Sequence, residues 1–108
     1  MVESKLNLDN IFLALADSTR RSILERVAKA EMSIGEIAQH YALTFAAISK
    51  HIKVLEKANL ITKTRRGKEQ VVIVVPGSLK IARTQIARYE KMWEERFARL
   101  DELLDNDE

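Results

Sequence analysis

Cysteine is absent from this sequence, and its absence excludes disulfide bonds and metal sites built from thiolates. No apolar run approaches the roughly 20 residues that a helix needs to cross a bilayer. The opening residues MVESKLNLDN also lack the charged segment and apolar stretch of a signal peptide. We therefore expect a cytoplasmic protein without membrane contact, folded as a single domain over residues 1–108.

The sequence also lacks the patterns of an enzyme. With three glycines and two histidines, it has no glycine-rich phosphate loop, no cysteine nucleophile and no plausible Ser-His-Asp set. A zinc site needs three or four ligands, and the two histidines, His40 and His51, are not at i, i+4 spacing. We predict that the protein is not an enzyme and carries neither a metal ion nor another cofactor.

Positive charge is concentrated in one part of the chain. The net charge is only +2, but residues 44–70 alone contain seven basic and two acidic side chains. The segments before and after this block are both net negative. A localised basic surface is typical of a protein that binds nucleic acid, although a solubilising patch has the same composition.

The basic block begins with an amphipathic helix that Thr44 is placed to cap. Within LTFAAISKHIKVLEKANLI, residues 43–61, the apolar Ile48, Ile52 and Leu55 recur at i, i+4, i+7 spacing. The opposite face opens with small and aromatic residues and continues with lysines. An ordinary solvated face mixes charges of both signs, so this face indicates a specific surface.

Three helices are expected before this one. Residues 5–16 are apolar nearly all round, so this helix must be buried from several directions. Asp17 and Ser18 are expected to form a break and an N-cap before the second helix. Ser33 and Glu36 then have the spacing of a capping box for a short third helix. A tight turn joins the third helix to the basic one, as in a helix-turn-helix.

The periodicity after the basic helix is that of β-strands. Residues 61–66 alternate and residues 70–75 are rich in β-branched side chains, so together they predict a hairpin that turns at Gly67. A last helix over residues 78–104 is expected to begin at an N-cap formed by Ser78, and residues 105–108 are expected to fray. Residues 5–76 would then form the core and the hairpin.

The last helix carries an apolar stripe with spacings of three and four residues, as in a coiled coil. A domain this small cannot cover so long a stripe, so we expect it to pack against a second copy of the chain. The fold class is therefore mainly α with a two-stranded β-hairpin, a winged helix-turn-helix with a long C-terminal dimerisation helix.

Such a fold would bind double-stranded DNA. The second helix of a helix-turn-helix enters the major groove and reads base edges with residues near its start. Lysines further along that helix and basic residues at the hairpin tip, or wing, would contact the phosphates or an adjacent groove. The base-edge candidates are Thr44, Phe45, Ala46 and Ser49, and the phosphate or groove candidates are Lys50, Lys53, Arg65, Arg66 and Lys68.

The chain resembles the ArsR/SmtB family of winged-helix transcriptional repressors across about residues 8–76. The resemblance rests on LALADSTRRSILERV, on MSIGEIAQHYALTFAAISKHIKVLEKANLI and on the RRG hairpin. It implies a homodimer on a palindromic operator, with the first and last helices forming the dimer interface. The residues expected there are Leu8, Ile11, Phe12 and Leu15 from the first helix and Ile86, Tyr89, Trp93, Phe97, Leu100 and Leu104 from the last.

The sequence departs from the family pattern at the metal-sensing positions and in the turn. Metal-sensing members have two cysteines where this chain has Ser33 and Gly35, and other members use histidine on the last helix, which has none here. The last helix, with MWEERFARLDELL, resembles that of a branch without metal sites. Ala42 replaces the usual glycine of the turn, and a left-handed alanine there would cost on the order of 1 kcal/mol.

The recognition helix also starts differently, with Thr44-Phe45-Ala46 instead of the Ser-Gln-Pro that is frequent in the family. Loss of the glutamine removes a bidentate reader of adenine, whereas phenylalanine can contact a thymine methyl group. Phe45 therefore either reads the groove or folds into the core. We favour exposure, because Ile48 and Ile52 already supply the buried row.

The predicted function is a sequence-specific DNA-binding transcriptional regulator, a homodimeric repressor of unknown effector. The alternative is a winged-helix module that binds proteins and has lost DNA binding. Arg20 and Arg21 match the family motif DxTRR, and either contact phosphate or form a salt bridge with Asp17 or Glu25. His51 is expected to pack against the hairpin or contact a phosphate, and His40 to lie on the surface.

Overall fold

The computed structural model describes residues 2–106, with the side chains of residues 7–105. Its elements confirm the predicted fold class, because a helix-turn-helix is followed by a hairpin and one long helix. In chain order they are α1 (Val2–Leu15), α2 (Ser18–Lys29), β1 (Met32–Ser33), α3 (Ile34–Ala38), α4 (Phe45–Lys57), β2 (Ile61–Arg66), β3 (Glu69–Val74) and α5 (Pro76–Asn106). Of the tail predicted to fray, residues 107–108 lie outside the described residues, and residues 105–106 belong to α5.

The sheet has three antiparallel strands in the order β1-β3-β2, not the two that the sequence predicted. The additional strand β1 consists of Met32 and Ser33, which pair with Val72 and Val71 of β3. Two residues are too few to show an alternating pattern. Through this pairing, the hairpin is attached to the segment that leads into α3.

The hairpin β2–β3 is in register from the Ile61–Val74 pair to the Arg66–Glu69 pair. Its two-residue loop begins with Gly67, whose φ is +63°. Glycine at the first position of such a loop meets the requirement of a type II′ turn, which matches the twist of the strands. The hairpin tip, called the wing below, comprises Arg65–Lys68.

The core lies between α1, α2, α3, α4 and the sheet. Its fully buried large side chains are Ile11, Ile23, Ile37, Ile48, Ile52, Leu55, Leu60, Ile61 and Val72. Ile11 was expected in the dimer interface, but that expectation was wrong, because its side chain is completely enclosed within its own subunit. Leu8 and Leu15 pack partly against the same core, whereas Phe12 and Leu13 of α1 are exposed.

Two helix ends control the path of the chain after the recognition helix. Asn59 has a left-handed φ of +58°, and the amides of Asn59 and Leu60 donate to the carbonyls of Glu56 and Leu55. These two bonds form a Schellman motif at the end of α4. The predicted cap at Ser78 was wrong, because α5 begins two residues earlier and the Ser78 hydroxyl instead donates to the Asn59 carbonyl at 2.6 Å.

Pro76 is the first residue of α5. Proline is favoured at this position, because an amide hydrogen there would have no partner within the helix. The 31 residues of α5 extend for about 46 Å. The radius of gyration is 19.0 Å, against about 13 Å for a compact chain of this length. The long helix therefore projects from the core. None of the helices described between residues 2 and 106 is both long and apolar enough to span a bilayer.

Candidate nucleic-acid interface

The N-terminus of α4 is a capped helix start that faces solvent. Thr44 adopts an extended conformation, and its hydroxyl oxygen accepts the amide hydrogen of Ala47 at 3.1 Å. The turn before it does not need glycine: among the described residues, Asn59 is the only non-glycine with positive φ, so Ala42 is not left-handed. The alanine in the turn therefore carries none of the strain considered above.

The two faces of α4 differ as the sequence predicted. Ile48, Ile52 and Leu55 are fully buried, and they anchor the helix to the core. Phe45 is 58% exposed, which confirms the expectation that it lies outside the core. The candidates Thr44, Ala46, Lys50 and Lys53 are also exposed, and Ser49 is half-buried.

The wing contributes basic side chains, but they are not equivalent. Arg65 and Lys68 are exposed, and the Arg65 guanidinium donates to the Gly67 carbonyl at 3.2 Å. Arg66 forms an ion pair of 2.8 Å with Glu31. Since both partners of this pair are largely exposed, it contributes little to stability, and an incoming phosphate would have to compete with Glu31.

A depression separates the start of α4 from the wing. It has a volume of about 270 Å³ and is lined by Phe45, by residues 68–70 of the hairpin and by residues 33–35. An ion pair of 3.4 Å between Glu56 and Lys63 connects α4 with β2. The recognition helix and the wing are therefore neighbouring parts of one surface.

The residues of the DxTRR motif connect α1 with α2 through hydrogen bonds. Asp17 caps α2 by accepting the Arg20 amide hydrogen at 3.0 Å. The Arg20 side chain donates to the carbonyls of Ala14 and Leu13, both at 2.9 Å, and Arg21 donates to Leu15 at 2.7 Å. Among the described residues, neither arginine forms the salt bridge that was one of the two alternatives. Their guanidinium groups instead donate to backbone carbonyls in the last turn of α1.

The carboxyl group of Asp17 is affected by these contacts. Its pKa is lowered from the ordinary value, above all because the backbone amide of Arg20 donates to it. Desolvation opposes this shift, and the charges of Arg20 and His51 add to it. Asp17 therefore stabilises the fold when its carboxyl group is ionised.

His51 links the recognition helix to this junction. Its Nδ1 lies 3.3 Å from Nη1 of Arg20 and 3.9 Å from the Asp17 carboxylate. Because a guanidinium only donates, Nδ1 is the acceptor, and the ring proton of neutral His51 lies on Nε2. The polar contacts of His51 are therefore with the junction of α1 and α2, whereas its packing against the hairpin or contact with a phosphate stays a prediction. His40 is exposed, as predicted, and its Nδ1 lies 3.1 Å from the Arg26 guanidinium.

The positions where metal-sensing proteins of the resembled family carry cysteines have other roles. The Ser33 hydroxyl accepts the Glu36 amide hydrogen at 3.1 Å, and the Glu36 carboxylate accepts the Ser33 amide hydrogen at 3.4 Å. This confirms the predicted capping box of α3. Gly35 has no side chain that could bind a metal ion. Within residues 2–106, no group of three His, Asp or Glu side chains is arranged to hold a metal ion.

Several known proteins share this sequence pattern. Residues 15–64 match the family described as a helix-turn-helix domain. The chain is 37% identical over 81 residues to the HTH-type transcriptional regulator Rv2034 of Mycobacterium tuberculosis, an alignment that covers 75% of this chain and 76% of the relative. It is also 37% identical over 60 residues to the transcriptional repressor SdpR of Bacillus subtilis, covering 56% of this chain and 67% of the repressor.

Solved structures share the fold. A crystal structure of the ArsR family transcriptional regulator RHA00566 gives a TM-score of 0.78 at 27% identity, covering 83% of this chain and 93% of that one. The solution structure of the homodimeric winged helix-turn-helix domain of Mb0332 from Mycobacterium bovis gives a TM-score of 0.64 at 22% identity, covering 78% of this chain and 80% of that one. The second similarity shows the fold alone.

Proposed function

Because the chain belongs to the ArsR family of winged helix-turn-helix transcriptional regulators, we propose that it represses transcription as a homodimer bound to a palindromic operator. The family consists of DNA-binding regulators, so the prediction that the chain is not an enzyme is confirmed. The alternative of a protein-binding module without DNA binding is not favoured. Repression is supported by the similarity to SdpR, which is a transcriptional repressor.

The observation that carries the proposal is the exposed face of α4. Its start presents Phe45 and Ala46 to solvent, and Lys50 and Lys53 follow on the same helix without an ion-pair partner among the described residues. Small and apolar groups allow close approach to base edges, and the lysines extend to the phosphates. We assign base contacts to Thr44, Phe45, Ala46 and Ser49, and phosphate or groove contacts to Lys50, Lys53, Arg65, Arg66 and Lys68.

A second copy of the chain would cover the projecting part of α5. Ala82 is buried against the core, but Trp93 is 62% exposed, and its ring lies 5.8 Å from that of Phe97. Phe12 and Leu13 of α1 are also exposed apolar residues. The proposed interface consists of Leu8, Phe12 and Leu15 with Ile86, Tyr89, Trp93, Phe97, Leu100 and Leu104, together with the exposed Leu13, Met92 and Leu103.

Selection of duplexes from a random pool by the full-length protein tests this function. We expect the selected sequences to contain two inverted half-sites, with centres about one helical turn or slightly more apart, because a two-fold dimer presents two recognition helices. A mobility-shift titration with the best duplex then gives the affinity. Recovery of no duplex above background, or of sites without inverted symmetry, would contradict the proposal.

Paired lysine variants test the assigned surface. We expect Lys50→Ala with Lys53→Ala to weaken binding to all duplexes and to reduce the magnitude of the salt slope by about 3–4 for a dimer. The matched control is Arg88→Ala with Lys91→Ala, which removes two exposed basic side chains from α5 and is expected to leave binding unchanged. Equal losses in the two double variants would contradict the assignment to α4.

A further inference from the structure

The first turn of α4 offers few groups that read bases by hydrogen bonds. The Thr44 hydroxyl oxygen already accepts the Ala47 amide hydrogen, and Ala46 and Ala47 have only methyl side chains. Arg, Lys, Asn and Gln supply the bidentate contacts that distinguish base pairs in the major groove, and within α4 none of them occurs before Lys50. Discrimination at the start of the helix must therefore depend mainly on apolar contacts.

Phe45 is the large apolar group available for such contacts. Its ring is 58% exposed, whereas the apolar residues that hold α4 to the core are completely buried. It also borders the depression that Lys68, Glu69 and Gln70 line from the hairpin side. Phe45 therefore starts the recognition helix and lines the same depression as Lys68 of the wing, and we assign DNA contacts to both elements.

We propose that Phe45 makes DNA binding depend on the C5-methyl group of one pyrimidine in each half-site, an inference that rests on the proposed function. The thymine methyl is the only apolar group that bases present in the major groove. Contact between this methyl and the exposed ring removes both from water. The site then distinguishes thymine from uracil, and 5-methylcytosine from cytosine, because each pair differs by this methyl group.

The size of the effect follows from the area that one methyl group buries. Removal of one methyl is expected to weaken binding about fourfold, and removal of one from each half-site about fifteenfold. The effect is confined to one position per half-site, because the single ring of each subunit reaches one pyrimidine. A general effect of uracil on duplex shape would instead be spread over many positions.

A uracil scan tests the inference. The probe is the best duplex selected from the random pool, with symmetry-related thymines replaced by deoxyuridine one pair at a time. With the wild-type protein, we expect one replacement to raise Kd about fifteenfold and the others to have little effect. With Phe45→Ala, measured at low salt so that phosphate contacts retain the duplex, the same replacement is expected to have no effect.

Leu43→Ala is the matched control, because Leu43 is also an exposed apolar residue of the turn and is 44% exposed. We expect this variant to keep the full uracil penalty. A flat scan with the wild-type protein would overturn the inference. So would a penalty that persists in Phe45→Ala or one that disappears in Leu43→Ala.

Cytosine methylation provides an independent measurement. At the sensitive position, the T·A pair is replaced by C·G with or without a methyl group on the cytosine. The wild-type protein is expected to bind the duplex methylated in both half-sites about fifteenfold more tightly than the unmethylated one, and Phe45→Ala to bind both equally. If the protein selects duplexes but its binding is insensitive to both modifications, only this inference is refuted. If the protein selects no duplex, the proposed function is refuted.

Discussion

Arg20 joins three helices through one side chain. Its guanidinium donates to two carbonyls at the end of α1 and to His51 on α4, while its amide donates to the cap of α2. The sequence motif marked Arg20 as important, but the alternatives it left open were a phosphate contact and a salt bridge. The backbone carbonyls could not be identified as partners, because their position depends on the angle between α1 and α2.

Replacement of Arg20 separates a structural role from a role in DNA binding. We expect Arg20→Ala to lower the free energy of unfolding by about 2 kcal/mol, because charge-assisted hydrogen bonds to two carbonyls are lost. Urea unfolding followed by circular dichroism measures the change, with Arg83→Ala, an exposed arginine of α5, as the control. Unchanged stability combined with weaker DNA binding would show that Arg20 contacts phosphate instead.

The lowered pKa of Asp17 predicts that the stability of the protein depends on pH. Its folded-state pKa lies below the ordinary value of 3.8, so its contribution is present above that pH and is lost as pH falls through the folded-state pKa. Asn also caps helices, so Asp17→Asn retains the cap but does not titrate.

We therefore expect the stability advantage of the wild type over Asp17→Asn to decrease below about pH 4. Urea unfolding of both proteins between pH 7 and pH 2.5 measures this difference, and Glu25→Gln on the same helix serves as the control. A difference that is constant over the whole range would contradict the assigned shift.

At the scale of helices and strands, the sequence predicted the features that depend on residues close together in the chain, such as helix caps and hairpin turns. The spacing of Ser33 and Glu36 predicted the capping box, Thr44 predicted the start of α4, and the β-branched run predicted the hairpin. The strand β1 and the bond from Ser78 to Asn59 were missed. Both depend on segments that become neighbours only in the folded chain, and neither leaves a periodic pattern in the sequence.

Asn59 is itself a signal for the end of α4, since asparagine is common at the left-handed position after a helix. We expect Asn59→Ala to lower the free energy of unfolding by about 1 kcal/mol, because alanine is strained at this φ. Asn59→Gly removes the same hydrogen bond to Asn7 without this strain and is expected to be the more stable variant. Thermal unfolding compares them, and equal stability would contradict the left-handed conformation.

At the scale of the whole molecule, one subunit leaves much of its apolar surface uncovered. The stripe on α5 was predicted from its spacing, and the exposure of Trp93, Phe97 and Leu104 agrees with the argument that a small core cannot cover it. The division of α1 between core and surface was not predicted, because this helix is apolar on nearly every side. Only the packed structure distinguishes buried Ile11 from exposed Phe12.

A charge within the apolar stripe is expected to separate the subunits. We expect Trp93→Glu to convert the dimer into a monomer, because it places a carboxylate in an interface that excludes water. Thr84→Glu is the control, since Thr84 lies nine residues earlier and hence on the opposite face of α5. Sedimentation velocity gives the molar mass of each protein. A dimeric Trp93→Glu variant would show that the stripe does not hold the subunits together.

The salt dependence of DNA binding tests the account most directly. If about four basic side chains of each subunit contact phosphate, the plot of log K against log salt concentration for the best selected duplex has a slope of about −7. The recognition helices and wings of both subunits must then bind together to reach this value. A slope near zero would contradict the account, because binding would not involve the phosphate backbone.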